Sequence, residues 1–291
     1  MMRVLLPRTL DEALEMKAAS PDAVPIAGGT DVMFLLNFDR FRPPALIDVS
    51  RLPELRATRY EGDRFFLGAG VTYARIVREL TAFAPLVQAS RSVGSPQIRN
   101  RGTVGGNLGT ASPAGDALPV LAVYDADVVL GRAGGHTRTL PWAEFLTGPK
   151  RTALAPEELI LGARWRPLRG PGSFSKIGTR NAMVIAIASL CLVLDEEHRR
   201  AQVALGSVGP TIIRAGEAES FVAAAMTSAG AWDDRRVSLP PGVVAEFAER
   251  VAAAARPIDD VRGTAVYRRH GCRILARRSL SWALEDRRLA A

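Results

Sequence analysis

Between Gly94 and Gly115 the chain carries six glycines, interspersed with serine, asparagine and proline. A run this rich in glycine interrupts any long helix or strand, so it reads as an extended loop. A packed domain seldom holds so long an irregular segment unless the segment has a task. Its centre is Arg101-Gly-Thr-Val-Gly-Gly-Asn-Leu-Gly-Thr-Ala-Ser-Pro-Ala-Gly-Asp116. Gly105 and Gly106 let a ligand approach the backbone closely, and Asn107, Thr110 and Ser112 offer short polar side chains. Asp116 adds a carboxylate just ahead of an expected helix at 117–123. Donors suit phosphates and a carboxylate suits ribose or ribityl hydroxyls; a nucleotide has both.

A shorter segment has related chemistry: Ile26-Ala-Gly-Gly-Thr-Asp-Val-Met33. Gly28 and Gly29 fall between an expected strand and an expected helix, where free amides and the Thr30 hydroxyl can donate to a pyrophosphate. Taken alone, the same residues serve equally as a plain strand–helix turn. The spacing is neither GxGxxG nor GxxxxGK[ST], which disfavours a Rossmann site and a P-loop.

The flanking pattern is mixed. Thr9 and Glu12 form a capping box, Ala13, Leu14 and Ala18 give that helix an apolar stripe, and 24–27 reads as a short buried strand. A helix over 31–37 and a strand over 45–48 follow, then a hairpin turning at Glu61-Gly-Asp63 and helices at about 72–80 and 85–93. Strands at 126–131, 136–140 and 158–165 complete this part, and Arg166-Pro-Leu-Arg-Gly-Pro-Gly172 is the clearest linker. Beyond it come three expected strands (about 173–178, 184–194 and 201–207), then three helices (216–226, 241–255 and 263–287). Strands followed by segregated helices indicate an α+β fold of two domains, 1–168 and 172–291, the first divided near residue 56 into subdomains 1–56 and 57–168.

Composition narrows the function. With 47% apolar and 23% charged residues in 291, the balance is that of a globular protein. No apolar run is long enough to cross a bilayer, and the N-terminus lacks a signal-peptide pattern, so a cytoplasmic protein is expected. Cys191 and Cys272 are far apart and the three histidines are scattered, so no metal or iron–sulfur ligand set is legible; Cys191 reads as a core residue. The net charge of +8 comes from arginine: among 38 basic residues only Lys17, Lys150 and Lys176 are lysine. Much of the excess lies after residue 249, where Arg269, Arg273 and Arg277 recur at helical spacing. That reads as the outer face of an amphipathic helix, without any recognised nucleic-acid module.

Ala-Gly-Gly-Thr-Asp at 27–31 and Thr-Val-Gly-Gly-Asn…Ala-Ser-Pro-Ala-Gly-Asp at 103–116, about 75 residues apart, together resemble the FAD-binding medium subunit of the xanthine dehydrogenase and carbon monoxide dehydrogenase family. The resemblance continues through Phe174–Met183, Gly206-Ser-Val-Gly-Pro and the arginine-rich last helix. It implies a two-subdomain FAD-binding domain of the vanillyl-alcohol-oxidase (PCMH) type and a C-terminal α+β domain with a three-stranded antiparallel sheet and helices. Carried over by position, Ile26, Ala27, Gly28, Gly29, Thr30, Asp31 and Val32 would hold the pyrophosphate together with Thr103, Val104, Gly105, Gly106 and Asn107. Thr110 and Ser112 would line the same cleft, Asp116 would bind ribityl or nearby hydroxyls, and Ile160 would pack on the isoalloxazine. Lys176 matches a lysine near the flavin, where an ammonium would stabilise negative charge on the reduced ring. Some relatives place an acidic residue and an aromatic where this chain has Met183 and Val184, so the electron acceptor does not carry over.

The resemblance further implies a large subunit with molybdopterin, which oxidises the substrate, and a small subunit with two [2Fe-2S] clusters. Electrons would pass through FAD here to NAD, oxygen or a quinone, in a dimer of heterotrimers. None of the residues is expected to carry substrate chemistry itself, and no nucleic acid or membrane span is expected. The rival readings are a stand-alone FAD-dependent oxidoreductase of the same fold and a degenerate, flavin-free scaffold.

Overall fold

The computed structural model describes residues 2–291, which form two compact units. The first comprises 2–79, 93–112 and 125–167; the second comprises 80–92, 113–124 and 168–291. Two segments from the N-terminal half, Leu80–Ser92 and Pro113–Tyr124, therefore pack with the C-terminal part, although a sequence division at 168–172 places them with the first domain.

The first unit holds two main sheets. Arg3–Leu5, Ala45–Asp48 and Val24–Ile26 are parallel in that order, and the helix Leu10–Ala19 lies against them with Ala13 and Leu14 buried beside Ala45 and Ile47. Thr9 caps that helix by accepting from the Glu12 amide at 3.2 Å, while the Glu12 carboxylate takes the Arg8 amide at 2.7 Å. Val24–Ile26 is half-buried rather than buried, because it is an edge strand, the one place in a sheet that tolerates Pro25. The second sheet is antiparallel, in the order Thr58–Glu61, Arg64–Gly68, Leu159–Trp165, Asp127–Arg132 and His136–Pro141. Its central strand bulges between Ile160 and Gly162.

The glycine-rich stretch is not all loop. It contains the short helices Pro96–Arg101 and Val104–Thr110, whose N-terminal amides are capped by the Ser95 and Thr103 hydroxyls. Glycine's poor helix propensity hides the second of these from pattern reading; its cap and its packing outweigh that cost.

The sheet of the second unit runs Gly172–Ile177, Ala188–Asp195, Arg200–Gly206, Ile213–Arg214, all antiparallel. The expected three strands are thus four. The last has only two residues and shows no alternation to read. Residues 184–187, expected as strand, precede Ala188–Asp195 as irregular chain. Ala188, Leu190, Leu192 and Leu194 bury one face of the sheet against the helices Gly216–Ser228, Pro241–Ala254 and Ala265–Leu289. Alternation puts Phe174, Lys176, Ser189, Cys191 and Val193 on the other face, which the helices Ala84–Ser92 and Ala117–Val123 cover. Cys191 is fully buried there, and burial pushes its thiol pKa up.

The arginines of the last helix do not all lie on its outer face. Arg269 and Arg277 are exposed and Arg273 pairs with Glu249 at 2.6 Å. Arg268 and Arg287 are buried: Arg268 donates to the carbonyls of Ile187 and Ser207 and to Asp260, and Arg287 pairs with Glu196 beneath Trp232. No described helix is long and apolar enough to cross a membrane.

Candidate functional site

Within the first unit the two glycine segments meet. Gly28 lies so close to the Arg101–Gly102 peptide that a Cβ would overlap the Arg101 carbonyl oxygen. Asp31 accepts a hydrogen bond from the Thr110 hydroxyl at 2.8 Å, joining the far ends of the two segments. Ile26 ends its strand, Ala27 follows it, and Gly29 turns the chain at φ +77° into the helix Val32–Asn37. Among the described residues no acceptor meets the amides of Gly28, Gly29, Thr30 or Asp31. Four adjacent undonated amides on a half-buried turn are a ready anion cradle.

The second segment contributes differently. The amides of Val104 and Gly105 donate to the carbonyls of Val71 and Ala69, and those of Gly106 and Asn107 donate to the Thr103 hydroxyl and carbonyl. This helix start therefore has no amide left for a ligand. It offers a bare surface instead. Gly106, Gly109 and Thr110 share one face at helical spacing, and a Cβ on Gly106 would meet only Thr103 Oγ1, at 3.2 Å. The buried Oδ1 of Asn107 has no hydrogen-bond partner, an unusual state for a buried acceptor. The bulge re-aims Ile160, whose Cδ1 is 3.5 Å from where a Cβ on Gly109 would stand. Ser112 follows the left-handed Ala111 that ends the helix.

Asp116 and Lys176 belong to the second unit. Asp116 is the N-cap residue of Ala117–Val123 yet makes no capping bond; its Oδ2 takes Lys176 Nζ at 2.6 Å and the Ser92 hydroxyl at 3.0 Å. Its Oδ1 is buried and unpartnered. Burial raises the Asp116 pKa, and the Lys176 ammonium works against that shift. Ser92 carries no sequence signal for this role, since it is an ordinary polar residue ending a helix.

In the first unit, the bare glycine surface, the free amides and the orphaned Asn107 acceptor fit a nucleotide with a pyrophosphate. Sequence comparison gives the same answer from another direction. Residues 1–164 match the FAD binding domain in molybdopterin dehydrogenase, and residues 173–283 match the CO dehydrogenase flavoprotein C-terminal domain. The chain belongs to the FAD-binding flavoprotein family of the molybdenum hydroxylases. It is 30% identical to the 6-hydroxypseudooxynicotine dehydrogenase complex subunit alpha of Paenarthrobacter nicotinovorans, covering 96% of this chain and 93% of that one. It is 35% identical to the nicotinate dehydrogenase FAD-subunit of Eubacterium barkeri, over 62% of this chain and 64% of that one. Its fold is that of quinoline 2-oxidoreductase from Pseudomonas putida 86, with a TM-score of 0.86 at 22% identity over 99% of this chain and 98% of that chain. Its cofactor is FAD, and it acts as an electron-transferring redox subunit.

Proposed function

We propose that this chain takes electrons from the [2Fe-2S] clusters of a small subunit, after a molybdopterin-bearing large subunit has oxidised the substrate, and passes them to an external acceptor such as NAD, oxygen or a quinone. The observation that carries the reading is the convergence of the four undonated amides at Gly28–Asp31 with the bare Gly106 face and the orphaned Asn107 Oδ1. The amides bind the pyrophosphate, and the Thr30 hydroxyl adds a donor to them. Gly106 and Gly109 would let the cofactor lie against the helix, Asn107 Oδ1 would accept from a ligand hydroxyl, and Ile160 would pack on an apolar ring. FAD, when bound, supplies a centre that accepts electrons singly and releases them as a pair.

Among the described residues no cluster of His, Cys, Asp or Glu could hold a metal ion, and both cysteines are buried with raised thiol pKa values, Cys272 at about 12. Relatives named as subunits of dehydrogenase complexes point to the same division of labour.

Purification of the native complex through this chain, followed by native mass spectrometry, tests the proposal. The expected result is FAD on this chain together with two partners carrying molybdopterin and [2Fe-2S] clusters. A flavin-free chain co-expressed with its partners would sink it. An isolated chain whose flavin bleaches with substrate would establish the stand-alone oxidoreductase instead.

A further inference from the structure

In the first unit, Met33, Phe34, Phe38 and Phe41 are each between 38% and 62% exposed. The helix that begins this segment, Val32–Asn37, buries only Leu36. Exposed apolar residues scattered singly need no explanation, but a contiguous group marks a contact surface. This group is contiguous at its centre. The Phe34 and Phe38 rings lie 4.6 Å apart between centroids, and the Arg40 guanidinium is 5.9 Å from the centre of the Phe34 ring.

The surface is ordered without anything to cover it. After Asn37 the chain reverses: the Asp39 amide donates to the Leu36 carbonyl at 3.1 Å and the Arg40 amide to the Leu35 carbonyl at 2.9 Å, with Asp39 at φ +53°. This helix ending is usually built on glycine and folds an apolar residue back onto the helix. Here the turning residue is an aspartate, held by Arg42 Nε at 2.6 Å, and the residue brought back is Arg40. Rings fixed in this way bind with little further loss of freedom. Arg42 pairs with Asp39, whereas exposed Arg40 has no carboxylate partner among the described residues. A fitting partner therefore offers apolar groups to the rings and a carboxylate to Arg40.

Position narrows the choice of partner. The helix is capped by Asp31, which carries the last of the four undonated amides and accepts from Thr110. Six helical residues span about 9 Å, so a protein seated on the rings lies about one helix length from that turn. Of the partners in the proposed relay, the electron donor is the one that must come near the cofactor. We propose that the face of Met33, Phe34, Phe38 and Phe41, with Arg40 at its edge, is the docking surface for the [2Fe-2S] subunit, which meets it with an apolar patch flanked by carboxylate. This rests on the relay proposed above and adds the place of contact.

The test titrates the [2Fe-2S] subunit, separated from the native complex, into the full flavin-loaded chain at low and high salt. Native mass spectrometry of each variant complex reports the other partners. Phe38→Ser should weaken the association at least about tenfold, as truncation of an aromatic anchor does. Arg40→Glu should weaken it by about the same factor at low salt and remove most of its salt dependence. Both side chains are exposed, so both variants should keep wild-type flavin content and melting behaviour. Tyr60→Ser, on the strand Thr58–Glu61 and equally exposed, should change nothing. Unchanged affinity in either variant, equal weakening by Tyr60→Ser, loss of the large subunit in place of the [2Fe-2S] subunit, or self-pairing of the chain through this face would overturn the proposal and leave the relay standing. Loss of flavin along with the partner would make the helix a support of the cofactor turn, and would overturn it too. A native complex without a [2Fe-2S] subunit would instead overturn the relay itself.

Discussion

A Cβ on Gly105 would stand 2.5 Å from Ala69 Cβ and 2.6 Å from its carbonyl oxygen, whereas one on Gly106 would face open space beyond Thr103 Oγ1. Neighbouring glycines in one motif thus answer to different forces. Gly105→Ala, like Gly28→Ala, forces backbone to move and should destabilise the flavin-free protein by about 1–3 kcal/mol, read from denaturant unfolding. Gly106→Val should leave that stability within about 1 kcal/mol of wild type and abolish FAD retention, because the side chain takes the cofactor's place. Normal flavin content in purified Gly106→Val would refute the placement. Thr103→Ala removes a cap and should cost about 1 kcal/mol. The glycine pairs are legible in sequence because only glycine permits such approaches. Their division into packing and binding roles is not, since it depends on Ala69 and Arg101, which no local pattern connects to them.

At the level of the element, the strand Leu159–Trp165 is preceded by Glu158, whose carboxylate takes Arg138 at 2.6 and 2.8 Å and the Ala155 amide at 2.8 Å. The Arg138 hydrogen bonds hold the Glu158 pKa below its usual range. A depressed carboxylate contributes stability above its unfolded pKa of about 4.3 and loses it as pH falls through the lower folded value. Arg138→Met should therefore cost about 1–2 kcal/mol near neutrality. That difference should shrink toward zero as pH falls through the lowered Glu158 pKa, in melts compared across pH. An equal loss at both ends of the range would assign the effect to packing of the arginine stem. The strand itself is plain from its apolar run, but the bulge that aims Ile160 at Gly109 is not, because a bulge leaves no trace in alternation over so few residues. The last helix shows the same limit. Its length and amphipathicity are readable, yet whether an arginine points outward or, like Arg268, inward onto carbonyls is settled by the strand ends it meets.

Across the whole molecule, the second unit draws on three separate stretches of chain. Residues 172–291 alone lack the two helices that cover Phe174, Cys191 and Val193. That fragment should bind hydrophobic dyes and lose near-ultraviolet circular dichroism, the behaviour of a loosely packed state. A fragment extended to include residues from 80 onward should recover a cooperative transition, and a cooperative 172–291 would contradict the packing described. The expected division at 168–172 rests on a local signal, the Pro- and Gly-rich linker Arg166-Pro-Leu-Arg-Gly-Pro-Gly172. The exchange of helices between stretches is a long-range contact and has no such signal. During synthesis this matters. All seven residues of Ala117–Val123 are buried in the finished protein, yet the sheet they cover ends with strands made only after residue 188. The nascent chain carries that apolar helix without its sheet for the whole interval, so exposed apolar surface is expected on the N-terminal half until the C-terminal strands leave the ribosome.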